Sequence, residues 1–190
     1  MKIAIDISQI VYEGTGVSAY VRRLIAAILA KDTQNEYIVF GASLRRRDVF
    51  TSFAASLGGR VRLVTVPIPP TILDVLWNRW HILPVEWFTG PVDIFWSSDW
   101  TQPPLIHAKG VTTIHDLSVL RYPRESHDVT EVDYAKGTVS ANIVTIQTRR
   151  LKRAAHVCHA FFCDSEATKR DAHTLLGIAN NKLRVVYPGI

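Results

Sequence analysis

Short apolar runs alternate with longer amphipathic stretches along this chain, and this alternation limits its fold more than any other feature. The first apolar run is KIAIDIS, residues 2–8, and the stretch after it, residues 17–32, has a helical stripe of apolar side chains. The stripe consists of Val17, Tyr20, Val21, Leu24, Ile25, Ile28 and Leu29. A strand followed by such a helix predicts the first unit of a parallel sheet.

The alternation continues to the end of the sequence. Apolar, β-branched runs predict strands over residues 36–43, 60–67, 92–98, 110–116, 160–165 and 182–188, and helices over 45–57, about 129–155 and 166–177. A tryptophan-rich segment, residues 72–88, is expected to be partly helical and broken at Pro84. Right-handed crossovers cover both faces of such a sheet, so the fold class is α/β, doubly wound, mainly parallel and Rossmann-like.

The composition fits one globular domain. The chain has 190 residues, of which 47% are hydrophobic and 21% charged, and no apolar run reaches the roughly 18 residues of a membrane span. No secretory signal precedes the first strand. The expected location is therefore the cytoplasm, with Cys158 and Cys163 as free thiols.

The charge pattern leaves two interpretations open. The formal net charge is +5, and much of it is local: Arg45, Arg46, Arg47, Arg149, Arg150, Lys152 and Arg153. These residues form either solvated helix faces or a surface for an anionic partner such as a lipid headgroup. Similarly, Trp77, Trp80 and Trp87 either belong to the core or form a surface that rests peripherally on a membrane. No basic–aromatic interleaving typical of an RNA-binding sheet occurs, so nucleic acid is not an expected partner.

The loop after the first strand, YEGTGVSAY, is a candidate phosphate site. Gly14, Thr15 and Gly16 precede a helix whose first N–H groups and positive dipole end favour an anion. The alternative is a plain strand–helix turn. A dinucleotide fingerprint fits poorly, because the loop is long and the second strand ends FGAS, without the acid that would bind a ribose.

Three further stretches are expected at the same carboxyl-end edge of the sheet. SSDWTQPP contains Asp99 and Trp100, HDLS contains His115 and Asp116, and DSEAT contains Ser165 and Glu166. His115 suits a hydrogen bond to a substrate hydroxyl, but the spacing alone favours a bond from His115 to a backbone carbonyl, with Asp116 as a turn or cap residue and Ser165 as a helix cap.

No metal site is predicted. Four potential ligands, His156, Cys158, His159 and Cys163, match no standard zinc spacing, so burial or incidental clustering is the better interpretation.

Four segments, in this order and spacing, resemble a known family. They are YEGTGVSAYVRRLIAAIL, TTIHDLSVLRYP, CDSEATKRD and LRVVYPG, and together they make the chain similar to the N-terminal half of a retaining glycosyltransferase of family 4 with the GT-B architecture. One departure is Cys158-His159, where the family commonly has Ala-Asp.

The resemblance implies a role for each candidate residue. Gly14, Thr15 and Gly16 touch the donor diphosphate, and His115 lies beside the transferred sugar. The acceptor or cleft-edge residues are Asp99, Trp100, Asp116, Ser165 and Glu166. A nucleotide-diphosphate sugar is the substrate, with no cofactor or metal. The resemblance further implies that the donor-binding C-terminal domain, with its E-x7-E motif, is absent from residues 1–190, which are expected to form an acceptor-side domain that is inactive alone.

The expected function is therefore retaining transfer of a hexose, with mannose as the first candidate, to a glycan or lipid-linked acceptor. The expected pathway is synthesis of a cell-surface polysaccharide or lipopolysaccharide. Two alternatives are a non-catalytic module that binds an anionic ligand and, less well supported, a dinucleotide-dependent oxidoreductase domain.

Overall fold

The computed structural model describes residues 1–98, 101–122 and 140–189, in which strands and helices alternate. The strands are β1 (Lys2–Asp6), β2 (Glu36–Ala42), β3 (Val61–Val66), β4 (Ile94–Ser98), β5 (Lys109–Ile114), β6 (Ala160–Cys163) and β7 (Leu183–Val185). The helices are α1 (Gly16–Lys31), α2 (Arg47–Ser56), α3 (Pro70–Leu73), α4 (Glu86–Thr89), α5 (Ser118–Arg121), α6 (Ser140–Val157) and α7 (Glu166–Leu176). Two 3-10 helices, Ser8–Val11 and Asn180–Lys182, and a π-helix, Asp74–Trp80, complete the described elements.

The strand order is β3-β2-β1-β4-β5-β6-β7, and the paired strands run parallel. The predicted α/β, doubly wound, parallel class is therefore confirmed. The chain divides into two compact units, one of residues 1–97 with 103–110 and the other of residues 98–102 with 111–190.

In the first unit, alternate strand residues enter two separate hydrophobic clusters. Ala4 and Phe40 belong to one cluster, whereas Ile5 and Val39 belong to the other. Successive strand side chains point to opposite faces, so each face of this part of the sheet is covered. The predicted stripe of α1 is confirmed, because Val21, Ile25 and Leu29 are buried in the second cluster.

The second unit has its own core. Ile114 of β5, Phe161 and Cys163 of β6 and Leu183 of β7 pack against apolar residues of two helices. Those helix residues are Leu151, Ala154 and Ala172. Of the helix predicted over residues 129–155, the described part is α6, and residues 129–139 lie outside the described residues.

The tryptophan-rich segment divides between core and surface. Trp77 is fully buried, and its indole Nε1–H donates to the Leu83 carbonyl at 2.9 Å. Trp80 and Trp87 are 62% and 68% exposed. The helix ends at Trp80, before Pro84, because His81 adopts a left-handed conformation with φ of 55°. The core interpretation is thus correct for Trp77 and wrong for the other two. Within the described residues, no helix is both long and apolar enough to cross a membrane.

Candidate functional site

The Thr15 side chain holds the glycine-containing loop of the first unit. Thr15 is the N-cap of α1, and its Oγ1 accepts the Ser18 N–H at 3.2 Å. The same hydroxyl donates to the Tyr12 carbonyl at 2.9 Å, so it fixes both the loop and the start of the helix. The connection between β1 and α1 contains a 3-10 helix over Ser8–Val11, so residues 12–15 remain as the irregular loop.

Both glycines of this loop leave open space. Gly14 has φ of +81°, a left-handed conformation that side chains disfavour. A Cβ at Gly14 or Gly16 meets no heavy atom of the described residues within 4 Å. A ligand can therefore approach the backbone N–H groups at the start of α1, where the helix dipole favours negative charge.

The topology gives this loop a favoured position for ligand binding. Strand β1 lies between β2 and β4, so the order of strands reverses at its carboxyl end, and the loop follows that end. Open α/β sheets bind ligands at such a switch point.

A basic turn lies close to the glycine loop. Arg46 donates from Nη2 to Glu13 Oε1 at 2.9 Å, and both side chains are exposed. Arg45 and Arg47 flank it and are exposed as well. This turn adds positive charge near the loop in the same unit.

Asp6, at the end of β1, is a site residue that the sequence interpretation missed. It is 3% exposed, and its Oδ1 accepts the Ser8 N–H at 2.8 Å. Its Oδ2 has no hydrogen-bond partner in the described part of the chain. Burial raises the pKa of Asp6 to about 6, against the hydrogen bonds from Ser8, which lower it.

In the second unit, His115 is paired with Asp164. Its Nδ1 lies 2.7 Å from Asp164 Oδ2, and the two side chains are 12% and 20% exposed. The backbone carbonyl of His115 accepts a hydrogen bond from Thr168 Oγ1 at 3.3 Å. The expected carbonyl partner for the ring is thus replaced by a carboxylate, which can hold either the neutral or the charged ring.

Asp116 and Ser165 have local structural contacts. Asp116 Oδ1 accepts the N–H and hydroxyl of Ser118 at 3.0 and 2.6 Å, which closes a turn at the start of α5. Ser165 is the N-cap of α7, accepting the Thr168 N–H at 3.0 Å. Glu166 is exposed in the first turn of that helix. The turn and cap interpretations are confirmed.

Asp99 and Trp100 lie outside the described residues. Among the residues that the structure describes, no group of three or more His, Cys, Asp and Glu side chains could hold a metal ion. Cys158 and Cys163 are free and buried, whereas His156 and His159 are exposed. Burial raises the pKa of the two thiols to about 12 and about 11, which keeps them protonated.

The structure therefore brings His115 and Ser165 into one hydrogen-bonded group. His115 contacts Asp164 and Thr168, and Thr168 contacts Ser165. The loop of Gly14, Thr15 and Gly16 belongs to the first unit. The sequence could have indicated that Asp164 lies near His115, because HDLS and DSEAT both lie at the ends of predicted strands. The pairing itself depends on the register of those strands.

A model of glycosyltransferase family 4 matches residues 14–190. The chain belongs to glycosyltransferase family 4. A solved structure with a similar fold is Arabidopsis thaliana UGT89C1 complexed with UDP, at a TM-score of 0.52 and 11% sequence identity. The match covers 100% of the family 4 chain and 50% of UGT89C1, so this chain spans half the length of that neighbour. No curated protein matches.

These findings establish a GT-B glycosyltransferase domain with a Rossmann-like fold. They also agree with the sequence resemblance at the level of family. The family match favours glycosyl transfer over an anionic-ligand module or an oxidoreductase domain.

Proposed function

We propose that this family 4 domain is the acceptor-side half of a two-domain enzyme whose C-terminal domain binds most of a nucleotide-diphosphate sugar. The family match over residues 14–190 carries this proposal. Two further observations support it: the chain spans half of UGT89C1, and that protein was crystallised with UDP.

In this proposal, the glycine loop stabilises the leaving diphosphate. Cleavage of the bond to the sugar develops negative charge on the departing phosphate, and fixed N–H dipoles stabilise such charge without reorganisation. The first N–H groups of α1 have this property, and Gly14 and Gly16 leave room for a phosphate to reach them. His115 is the residue proposed to lie beside the transferred sugar.

The finer part of the proposal rests on the sequence resemblance. The reaction retains the configuration at the anomeric carbon and transfers a hexose, with mannose as the first donor sugar to test. The acceptor is a glycan or a lipid-linked saccharide in the synthesis of a cell-surface polysaccharide or lipopolysaccharide. The enzyme acts in the cytoplasm at the inner face of the membrane.

Exposed apolar side chains within residues 80–87 support the contact with the membrane. Trp80, Ile82 and Trp87 are exposed by 62%, 49% and 68%, next to the exposed Arg79. The nearby Glu86 carboxylate is engaged, because its Oε1 accepts the N–H groups of residues 106–108. Exposed indoles beside a cation suit the interface of an anionic bilayer.

Substitution of Gly16 by Ala in the complete polypeptide tests the proposed donor contact. A Cβ at this position meets no protein atom within 4 Å and lies in the first turn of α1, so the thermal stability should stay unchanged. The same Cβ would occupy space proposed for the donor phosphate. We expect kcat/KM for the donor sugar to fall by about tenfold or more, measured as nucleoside diphosphate released.

Gly14→Ala and Gly177→Ala are matched controls for backbone strain. Both glycines have positive φ, +81° and +68°, so each substitution should cost about 1 to 2 kcal/mol of stability. Only Gly14→Ala should also impair transfer, because Gly177 ends α7, outside the loop. Normal donor kinetics in Gly16→Ala would contradict the proposed contact between this loop and the donor sugar.

A further inference from the structure

The pairing of two adjacent strands determines which residue accompanies His115. In the parallel register of β5 and β6, Ile114 is aligned with Cys163. His115 directly follows Ile114, and Asp164 directly follows Cys163. The two side chains therefore leave the sheet next to each other. The resulting distance of 2.7 Å between Nδ1 and Oδ2 is that of a charge-assisted hydrogen bond.

The first turn of α7 holds His115 at a second point. Thr168 is 8% exposed, and its hydroxyl donates to the His115 carbonyl at 3.3 Å. Its own backbone N–H bonds the capping Ser165 at 3.0 Å. The segment from Asp164 to Thr168 therefore fixes both the ring and the backbone of His115.

For a purely structural contact, the Asp164 carboxylate carries an unfavourable free energy of burial. Its Oδ1 is buried and has no hydrogen-bond partner among the described residues. A buried acceptor left without a donor lowers stability, so a site that retains one commonly has another use for it.

We propose that Asp164 is a positioning residue for His115 in glycosyl transfer. The carboxylate keeps the proton of the neutral ring on Nδ1, and this makes Nε2, which is itself buried, the nitrogen of the ring that can accept a hydrogen bond. The role in turnover rests on the function proposed above. The choice of tautomer does not, because it follows from the pair alone.

The tautomer is measured by nitrogen-15 NMR of the histidine rings in the complete polypeptide, with the His115 signals assigned from His115→Ala. We expect the Nδ1–H form in the wild type and in Asp164→Asn, whose amide oxygen can still accept a hydrogen bond from Nδ1–H. In Asp164→Ala, the ring should change to the Nε2–H form. An Nε2–H ring in the wild type, or no change in Asp164→Ala, would overturn the positioning role.

Kinetics then separate positioning from general support of the fold. Asp164→Ala should lower kcat/KM by about ten- to a hundredfold, and Asp164→Asn by less. The double variant Asp164→Ala/His115→Ala should be no slower than His115→Ala, because both changes remove one function. Additive losses would contradict the proposal. If His115→Ala turns over normally while the tautomer result holds, the catalytic assignment of His115 fails and the pairing stands.

Asp171→Ala is a matched control on α7, the helix that begins two residues after Asp164. Asp171 pairs with a cation, since Arg121 Nη1 lies 3.0 Å from its Oδ1. Its loss should leave both the tautomer and kcat/KM close to the wild-type result. A loss in Asp171→Ala as large as in Asp164→Ala would show that removing any paired carboxylate from this part of the chain impairs the enzyme, and would count against positioning.

Discussion

The buried carboxyl of Asp6 couples the stability of this domain to pH. Its pKa of about 6 is above the ordinary value of 3.8, because burial disfavours the charged form. Between these two values, the folded protein therefore binds more protons than the unfolded chain. The free energy of unfolding that Asp6 contributes is highest at acid pH and is lost as the pH rises through 6.

The variant Asp6→Asn should remove this dependence. The shift corresponds to about 3 kcal/mol, so the stability of the wild type relative to Asp6→Asn should fall by about that amount between pH 4 and pH 7. Urea unfolding at a series of pH values measures the difference. A constant difference across the series would show that Asp6 is not perturbed.

Asp32→Asn provides a control of opposite sign. Hydrogen bonds, first from Tyr37 and then from Asn35, lower the pKa of Asp32. Ionised Asp32 therefore stabilises the folded state, and the wild type should gain stability over this variant as the pH rises from acid values.

At the scale of single residues, the sequence predicts local hydrogen bonds better than contacts with distant residues. The cap Ser165 could be inferred because its hydrogen bond spans three residues, whereas the cap Thr15 was not predicted. Asp164 and Asp6 could not be selected in the same way. The role of Asp164 depends on a residue 49 positions away, and that of Asp6 on burial by distant segments.

At the scale of elements, β2 and α2 meet at a point without spare room. A Cβ added to Gly41 would lie 2.7 Å from Cδ2 of the Phe50 ring. Phe50 is fully buried in the cluster that α2 forms with the sheet. A glycine in mid-strand ordinarily weakens a strand, so its presence here is explained by the close approach of the aromatic ring.

Gly41→Ala should destabilise the domain by about 1 to 3 kcal/mol through overpacking, despite the better strand propensity of alanine. The measurement is urea unfolding at neutral pH, with Gly16→Ala as a control that adds a methyl group in open space. The double variant Gly41→Ala/Phe50→Leu should lose less than the sum of the two single changes. Additivity, or an unaffected Gly41→Ala, would contradict this packing.

Elements with a regular pattern could be predicted, and irregular ones could not. The periodicity of α1 and the apolar runs of the strands gave their positions to within a few residues. The π-helix and the exposed turn after it could not be inferred, because the left-handed His81 and the bond from Trp77 to Leu83 are tertiary features. Pro84 indicated only that a break was needed.

At the scale of the whole molecule, alternation of strands and helices predicts parallel pairing but not strand order. Several orders satisfy the same right-handed crossovers. The observed order, with β1 between β2 and β4, is what makes the glycine loop follow a switch point. The sequence could assign this loop to the carboxyl edge, but not to that position along it.

The proposed contact with the membrane is also a property of the whole molecule. The double variant Trp80→Ser/Trp87→Ser should lose most of the binding to phosphatidylglycerol vesicles, because burial of the two indoles supplies the apolar part of the affinity. Vesicle co-sedimentation of the complete polypeptide measures this, and binding should weaken with added salt.

Tyr187→Ser is the matched control, since Tyr187 is 69% exposed but lies in the other unit. Binding of the double tryptophan variant at the wild-type level would refute the proposed surface. Equal binding of the wild type to phosphatidylcholine vesicles would show that the surface does not recognise an anionic headgroup.

The two hydrogen bonds of the Thr15 hydroxyl have a kinetic consequence. They join Tyr12 to Ser18, so the protein's own contacts define the conformation of the loop. If the loop binds the donor phosphate as proposed, the protein should lose little conformational entropy on binding, because the loop is ordered during folding. The rate of phosphate binding should then be governed by diffusion and local charge rather than by a slow rearrangement of the backbone.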